Sequence, residues 1–226
     1  MQLGEDNGKV TDSSLSPRAH RRLYQILDAA YLLVGERGFG GMSLQSVANK
    51  VGITQTGVLH YVHSKDGLLR LLIEHYYNKG TAGDEYLAAH EPGGALEGQP
   101  LLIPEFYRAM VRQNARRPDM VMAFHVLDTE ACSPKNSAHD FVVRRSKGAI
   151  SQGSNFAWSV PEGVDAAQTF SVALAAEYGL EGRWLARQDE IDLVDEWGRY
   201  EDVLFPLPLW EGYRQLPSSA TQAASR

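Results

Sequence analysis

Two short helical segments joined by a tight turn that contains a glycine constrain the fold of this chain more than any other feature. The first follows Ser43, a residue type that caps helix N-termini. Its apolar positions recur at the spacing of a helix turn and comprise Leu44, Val47, Ala48 and Val51. Gly52 tolerates the positive φ that ends a helix, and a second short helix is predicted to about Tyr61. Because Ala48 is small enough for the two helices to cross closely, this pattern predicts a helix-turn-helix.

Helical periodicity extends over most of the remaining sequence. The first helix is predicted to begin at Pro17 and to end at Gly35 and Gly38. Ser64 is predicted to cap a fourth, longer helix. Beyond a glycine- and proline-rich loop, helices are predicted at about 101–116, 118–132, 137–157, 164–187 and 189–204. No segment alternates with the period of a strand, so the sequence predicts an all-α fold.

Composition and charge narrow the class of protein. The 226 residues carry a net charge of −6, but residues 1–65 hold seven Lys and Arg against five Asp and Glu. The remainder holds fifteen against twenty-three, which suits a small anion-binding head on an acidic body. No run of eighteen apolar residues predicts a membrane span, and the N-terminus lacks the apolar centre of a signal peptide. The single cysteine, Cys132, also favours a reducing cytoplasm.

The outward face of the third helix carries hydrogen-bonding side chains that suit base edges and phosphates in a DNA major groove. These side chains are Thr54, Gln55, Thr56 and His60. Gly57 removes a side chain where the backbone can approach DNA closely, and Tyr61 can donate its hydroxyl to a phosphate. Lys65 adds a charge at the start of the fourth helix, where free N–H groups already favour phosphate. An ordinary solvated helix face is the alternative.

These motifs together resemble the N-terminal domain of TetR-family transcriptional regulators over residues 18–80. The resemblance rests on Gly38-Phe39, Ser43, Val47-Ala48, Val51-Gly52-Ile53, Tyr61 and Ser64-Lys65 with Leu68. The chain departs from the family pattern at Leu59 and Val62, where aromatic residues are usual, and at His63, where proline is usual.

The resemblance implies a helix-turn-helix head at residues 17–64 that binds double-stranded operator DNA. It implies DNA contacts from Ser43, Thr54, Gln55, Thr56, Gly57, His60, Tyr61 and Lys65. A long fourth helix would join the head to a larger helical domain at residues 65–211 that binds a small-molecule effector and dimerises. Residues 1–16 are expected to form a flexible arm, and residues 212–226 a disordered tail.

Two further sets of residues follow from the same resemblance. The effector pocket is expected among Tyr76, Tyr77, Phe106, Met110, Met122, His125, Phe156 and Trp158, with a plain core role as the alternative for each of them. The homodimer interface is expected among Ala173, Ala176, Gly179, Trp184 and Trp197, with packing inside one chain as the alternative.

The expected function is therefore a cytoplasmic regulator, most simply a repressor released from a palindromic operator by its effector. An activator of the same fold, or a ligand-binding helical protein without specific DNA binding, stays open as an alternative. His60 and His63 could share a metal only with further ligands, and no catalytic motif is present, so neither a metal, a cofactor nor an enzymatic activity is expected.

Overall fold

Ten α-helices make up the regular structure of the residues that the computed structural model describes, which are 16–76, 81–136 and 138–215. In chain order they are α1 Pro17–Gly41, α2 Leu44–Val51, α3 Gln55–Val62, α4 Lys65–Tyr76, α5 Ala82–His90, α6 Ile103–Ala115, α7 Pro118–Ala131, α8 His139–Asn155, α9 Ala166–Leu185 and α10 Leu193–Leu204. Strand-like pairing within these residues is limited to an isolated bridge between Leu101 and Trp158. The predicted all-α class is confirmed. No helix in the described ranges is long and apolar enough to cross a membrane.

The helix-turn-helix of the head follows the local sequence signals closely. The Ser43 side chain accepts a hydrogen bond from the backbone N–H of Ser46 at 3.1 Å, which caps α2. Gly52 adopts the left-handed conformation, with φ 74° and ψ 37°, and ends that helix. Ala48 and Val58 are fully buried where α2 and α3 meet. The structure therefore confirms three predictions for the head, namely the small residue at the helix crossing, the glycine turn and the apolar face.

Helix α1 runs further than its glycines suggested, so the predicted end at Gly35 is wrong. Gly35 is helical, and a side-chain carbon added there would lie 3.8 Å from Ala123 of α7. Gly35 thus lies against α7 inside a helix that continues, and this contact between distant segments does not show in the sequence pattern. The helical geometry breaks instead at Gly38, where φ is 74° and ψ is 164°.

The head is tied to the body through α1 and α7 as well as through α4. Ala123, Leu127 and Ala131 of α7 belong to the same buried core as the apolar residues of α1 to α4. At the end of α7, the Glu130 carboxylate accepts hydrogen bonds from the backbone N–H groups of Phe39 at 2.7 Å and Gly40 at 3.2 Å. Glu130 therefore ties the end of α7 to the turn that precedes the helix-turn-helix.

A second core, rich in aromatic rings, fills the body between α6, α9 and α10. The Tyr107 ring lies 5.7 Å from that of Trp197, measured between centroids, and the Phe106 ring lies 5.3 Å from that of Phe170. Trp158 completes the cluster, 5.5 Å from Phe106. Burial of such rings supplies much of the stability of a domain this size. Helix α5, which the sequence pattern did not predict, packs on α6 at the edge of this cluster.

Candidate nucleic-acid interface and effector cavity

Helix α3 presents a polar face to solvent and an apolar face to the head core. Val58 is fully buried and Val62 is 1% exposed, whereas Gln55, Thr56 and His60 lie on the exposed side. The Thr54 hydroxyl accepts a hydrogen bond from the N–H of Gly57 at 3.1 Å and caps the helix. The apolar face holds the helix in place, so the polar face is available to a partner outside the protein.

Two residues of α3 have structural roles besides the one predicted for them. A side-chain carbon at Gly57 would lie 3.3 Å from the Thr54 hydroxyl oxygen, so the glycine leaves room for the cap. Tyr61 is half-buried against the head core, and its ring meets that of His60 edge-on at 5.3 Å. Its packing fixes the end of α3 beside the exposed imidazole.

The residues at which the chain departs from the TetR pattern shape the turn after α3. Val62 fills the core, and Leu59 is half-buried. His63 is exposed and has a φ of 60°. Proline could not take this conformation because its ring holds φ near −65°. The local turn into α4 therefore suits the histidine found here and excludes the proline usual in the family.

Lys65 lies against the turn at the end of α1. Its ammonium donates to the backbone oxygen of Gly40 at 3.3 Å and sits 4.8 Å from the centroid of the Phe39 ring. Ser64 accepts from the N–H of Gly67 at 2.9 Å and caps α4, as predicted. One of the three ammonium N–H groups is thus engaged within the protein, on the turn that precedes α2.

A cavity of about 360 Å³ lies in the body between the end of α4 and helices α6 to α9. Its volume falls in the range typical of small-molecule sites. Apolar and aromatic side chains make up much of its wall, among them Tyr76, Met110, Met120, Phe124, Leu174 and Tyr178. Tyr76 also donates to the Asp28 carboxylate of α1 and stacks on Tyr31 at 4.7 Å, so one wall of the cavity contacts the first helix of the head.

A buried polar network lies at one side of the cavity. Asn114 donates to Glu177 at 3.2 Å and to Glu181 at 2.6 Å, and all three residues are at most 9% exposed. His125 meets the other oxygen of Glu181 at 3.0 Å. The network joins α6, α7 and α9 around the cavity. Because its members are buried, the loss of any one of these hydrogen bonds would leave a buried polar group unsatisfied and would lower the stability of the fold.

Tyr178 and Asp128 form a second polar pair in the cavity wall. The Tyr178 hydroxyl donates to the Asp128 carboxylate at 2.8 Å. Burial is the main reason that the pKa of Tyr178 is raised above its usual value, and the hydrogen bond to Asp128 adds to the rise. The hydroxyl therefore keeps its proton, and the ring stacks on His125 with centroids 4.1 Å apart.

The residues predicted to line an effector pocket fall in different places. Tyr76 and Met110 line the cavity, and His125 adjoins it through Glu181. Phe106 and Trp158 do not line it, because they pack into the aromatic core of α6 and α9. Met122 and Phe156 are also absent from its wall, and Phe156 is 36% exposed. Tyr77 lies outside the described residues. The same is true of residues 1–15 of the predicted arm and residues 216–226 of the predicted tail.

Sequence reasoning missed the acidic side chains of the cavity. Glu177 and Glu181 are four residues apart on an otherwise largely apolar helix, and this spacing places both on one face. That pairing was the available signal for an inward-facing acidic site. Asn114 and Asp128 gave no comparable signal, since each stands alone among ordinary helix residues.

Most of the residues predicted for the dimer interface face the core of their own chain. Ala173 is fully buried, Trp184 is 6% exposed and Trp197 is 1% exposed, because all three pack into the aromatic cluster. Ala176 is half-buried, and Gly179 is exposed with no atom near the position of an added side chain. The bulky members of the predicted set are therefore core residues in this chain, whereas Gly179 lies on the free surface of α9.

Comparison with known proteins agrees with the motifs of the head. Residues 26–72, which span most of α1 through α4, match the family model for bacterial regulatory proteins of the tetR family. No curated protein sequence matches the chain.

Solved structures share the fold at low identity. A transcriptional regulator from Rhodococcus sp. Rha1 is 15% identical with a TM-score of 0.62, over 86% of this chain and 99% of that one. A TetR transcription regulator from Haloarcula marismortui is 17% identical with a TM-score of 0.59, over 81% and 96%. FadR from Bacillus subtilis, solved in complex with stearoyl-CoA, is 15% identical with a TM-score of 0.57, over 80% and 96%. The predicted resemblance and the predicted fold are both confirmed.

Proposed function

We propose that this TetR-family chain is a dimeric, DNA-binding transcriptional repressor whose operator affinity is set by a small molecule in the body cavity. The observation that carries the proposal is the exposed polar face of α3, held by a buried apolar face on a head that matches the tetR family. A regulator of this kind acts where the chromosome lies, in the cytoplasm, and needs no catalytic residues.

On DNA, α3 would enter the major groove and read base edges through Gln55, Thr56 and His60. Phosphate contacts would come from residues at the rim of the head, namely Ser43, Thr54, Tyr61 and Lys65, with the backbone at Gly57 close to the DNA. Such contacts provide affinity and its salt dependence, while the base contacts provide sequence preference. A two-fold dimer would require a roughly palindromic operator.

The cavity is connected to the head by two routes. Helix α4 begins beside the head at Lys65 and reaches the cavity wall at Tyr76, which also contacts Asp28 of α1. Helix α7 contributes Phe124 to the wall and ends at Glu130, on the backbone of Phe39 and Gly40. A bound molecule would change DNA affinity only by favouring one arrangement of these helices over another. FadR from Bacillus subtilis, with its stearoyl-CoA, supports a ligand-binding body for this fold.

The exposed face of α9 supports a dimer. Val172, Ala175, Gly179 and Gly182 recur at intervals of three and four residues and all are exposed in the single chain. On α10, Val194 is 38% exposed and Val203 is 79% exposed. A self-complementary four-helix contact through these two helices would cover apolar side chains and let small residues bring the helices close.

Replacing Gln55 with alanine tests base readout. In mobility-shift titrations against the DNA upstream of the protein's own gene, preference should relax at one or two base pairs, by about 1–3 kcal/mol at each. Non-specific affinity should change little, because phosphate contacts remain. Gln99→Ala, in the exposed loop before α6, is the matched control and should bind like the native chain. An unchanged preference in the Gln55 variant would move base readout to other residues, and no binding to any upstream fragment would contradict the proposed function.

Replacing Gly179 with arginine tests the dimer. A charged side chain buried in a helix contact without a partner should weaken self-association at least about tenfold, a cost of about 1.4 kcal/mol or more. Light scattering across a dilution series measures the shift toward monomer. Gly148→Arg, on the exposed surface of α8, also has no atom near the added side chain and should leave the dimer unchanged. Equal association of both variants would exclude this face of α9 from the interface.

A further inference from the structure

The chain has a conformational break just before the helix-turn-helix. Gly35 of α1 still lies against Ala123 of α7, but Gly38 leaves the helical path, with φ 74° and ψ 164°. Essentially only glycine adopts this conformation, because a side chain would clash with the backbone. The helix-turn-helix follows directly, which makes Gly38 a hinge between it and the part of α1 that packs on α7.

The Glu130 carboxylate at the end of α7 binds the two residues that follow this hinge. One of its oxygens accepts from the backbone N–H of Phe39 at 2.7 Å and from that of Gly40 at 3.2 Å. The other oxygen accepts from the Gly40 N–H at 3.3 Å. Two successive backbone N–H groups that converge on one anion form an anion-binding nest. Because the acceptor is a carboxylate, these hydrogen bonds are stronger than those to a neutral group.

The fit of the carboxylate depends on the same glycine. A side-chain carbon at Gly38 would lie 2.1 Å from Oε1 of Glu130 and 2.9 Å from its Cδ. Every other residue type would therefore push the carboxylate away from the two N–H groups. Gly38 thus permits both the break in the helix and the contact of Glu130 with the turn, which we call the Glu130 contact.

The Glu130 contact lies between the cavity and the DNA-binding helices. Lys65, at the start of α4, donates to the backbone oxygen of Gly40 at 3.3 Å, so α4 and α7 both bind this one residue. Phe124 and Asp128, also on α7, line the cavity. The contact therefore joins a helix that an effector would touch to the turn that leads into the helix-turn-helix.

We propose that Glu130 is a positioning residue, which fixes the helix-turn-helix on the body across the hinge at Gly38 and so sets the half-site spacing that the dimer can bind. The spacing rests on the proposed function, whereas the fixing of the head does not. A two-headed protein binds tightly only where both heads reach their half-sites together, and a flexible connection lowers this gain but tolerates more spacings. If Glu130 served only to stabilise the fold, its loss would lower affinity equally at every spacing.

Operators of altered spacing test the proposal on DNA. The upstream fragment that the native chain binds is compared with copies that carry two extra base pairs at the centre of the repeat, each adding about 3.4 Å. In mobility-shift titrations, the insertion should cost the native chain at least about thirtyfold in affinity. Glu130→Ala should bind the unaltered fragment about tenfold more weakly, and the insertion should cost it about threefold or less. Equal costs of the insertion in the two chains would overturn the inference.

Two further variants identify the cause. Glu130→Gln keeps the length of the side chain and an oxygen acceptor but loses the charge, so its spacing dependence should lie between those of the native chain and Glu130→Ala. It also serves as the second variant if Glu130→Ala does not fold. Glu162→Ala is the matched control, because it removes the same charge from an exposed turn before α9 and should keep the native spacing dependence. An equal change in this control would assign the effect to net charge and contradict the proposal.

Amide hydrogen exchange tests the fixing of the head without DNA. Peptides that cover residues 38–62 should exchange at least about tenfold faster in Glu130→Ala than in the native chain, while peptides of α9 keep their rates. Unchanged exchange at residues 38–62, or an equal acceleration in α9, would overturn the inference whatever the DNA result. Failure of the native chain to bind any upstream DNA would contradict the proposed function, and the exchange rates would then decide the role of Glu130.

Discussion

Gly67→Ala is expected to destabilise the protein by roughly 3 kcal/mol, near the top of the range for overpacking. Gly67 is buried in the first turn of α4, and a side-chain carbon there would lie 2.0 Å from the backbone oxygen of Val62. Backbone cannot rotate away as a flexible side chain can, so the end of α3 or the start of α4 must shift. Chemical denaturation at fixed protein concentration measures the loss of stability.

The same substitution should also weaken DNA binding in the population that remains folded. The clash acts directly on the turn that joins α3 to α4, and a displaced α3 would no longer match the groove. Gly148→Ala is the matched control, since it lies in α8 with no atom near the added carbon. It should raise stability by up to about 1 kcal/mol because alanine favours helix. Equal stability of the two variants would show that the turn at His63 adjusts without cost.

The helix-turn-helix was predictable because its determinants are local. Ser43 caps α2 within three residues, Gly52 ends it, and Ala48 meets the next helix across a short turn. Each of these residue types has a narrow set of backbone or packing roles, so the pattern permits few folds. Once the buried face of α3 is identified, its exposed face follows, because the helical period places the remaining side chains on the opposite side of the helix.

Contacts between distant segments were not predictable from periodicity. Nothing near Gly35 in the chain shows that α7 will pack on it, and nothing near Phe39 shows that Glu130 will accept its N–H. The position of Lys65 on the Gly40 carbonyl has the same origin. These contacts depend on how α1 and α7 cross, which is decided by packing over the whole domain and not by the spacing of residues in either helix.

The last two helices show a different limit. Large apolar residues at helical spacing indicate a buried face, but the pattern is the same whether the face meets its own chain or another copy. Trp197 of α10 turned out to be a core residue, whereas Gly179 lies on an exposed stripe of α9. The spacing of Glu177 and Glu181 was visible in the sequence, but only the structure shows that both side chains line the same cavity.

Arg108→Met should cost about 3 kcal/mol, at the lower end for breaking a buried ion pair. Arg108 of α6 donates from Nε and Nη2 to both oxygens of Glu201 on α10, at 2.7 to 2.9 Å, and Glu201 is 3% exposed. Removing the guanidinium leaves a buried carboxylate whose other partners are Trp197, at 2.8 Å, and Arg214, at 3.5 Å. Those two contacts keep the loss from being larger. Chemical denaturation measures it, and weaker self-association should accompany it because α10 would be less firmly docked on α6.

A second substitution decides whether the charge is the cause. Adding Glu201→Gln to Arg108→Met removes a buried carboxylate that has lost its main cationic partner, while a side-chain oxygen remains for Trp197, so the double variant should be more stable than Arg108→Met alone. Glu201→Gln by itself should destabilise, because it then leaves Arg108 facing an amide. Opposite signs for one substitution in two backgrounds are the signature of a directly coupled pair. If the two losses simply add, the destabilisation comes from lost packing of the arginine stem, and the ion pair does not hold α10 in place.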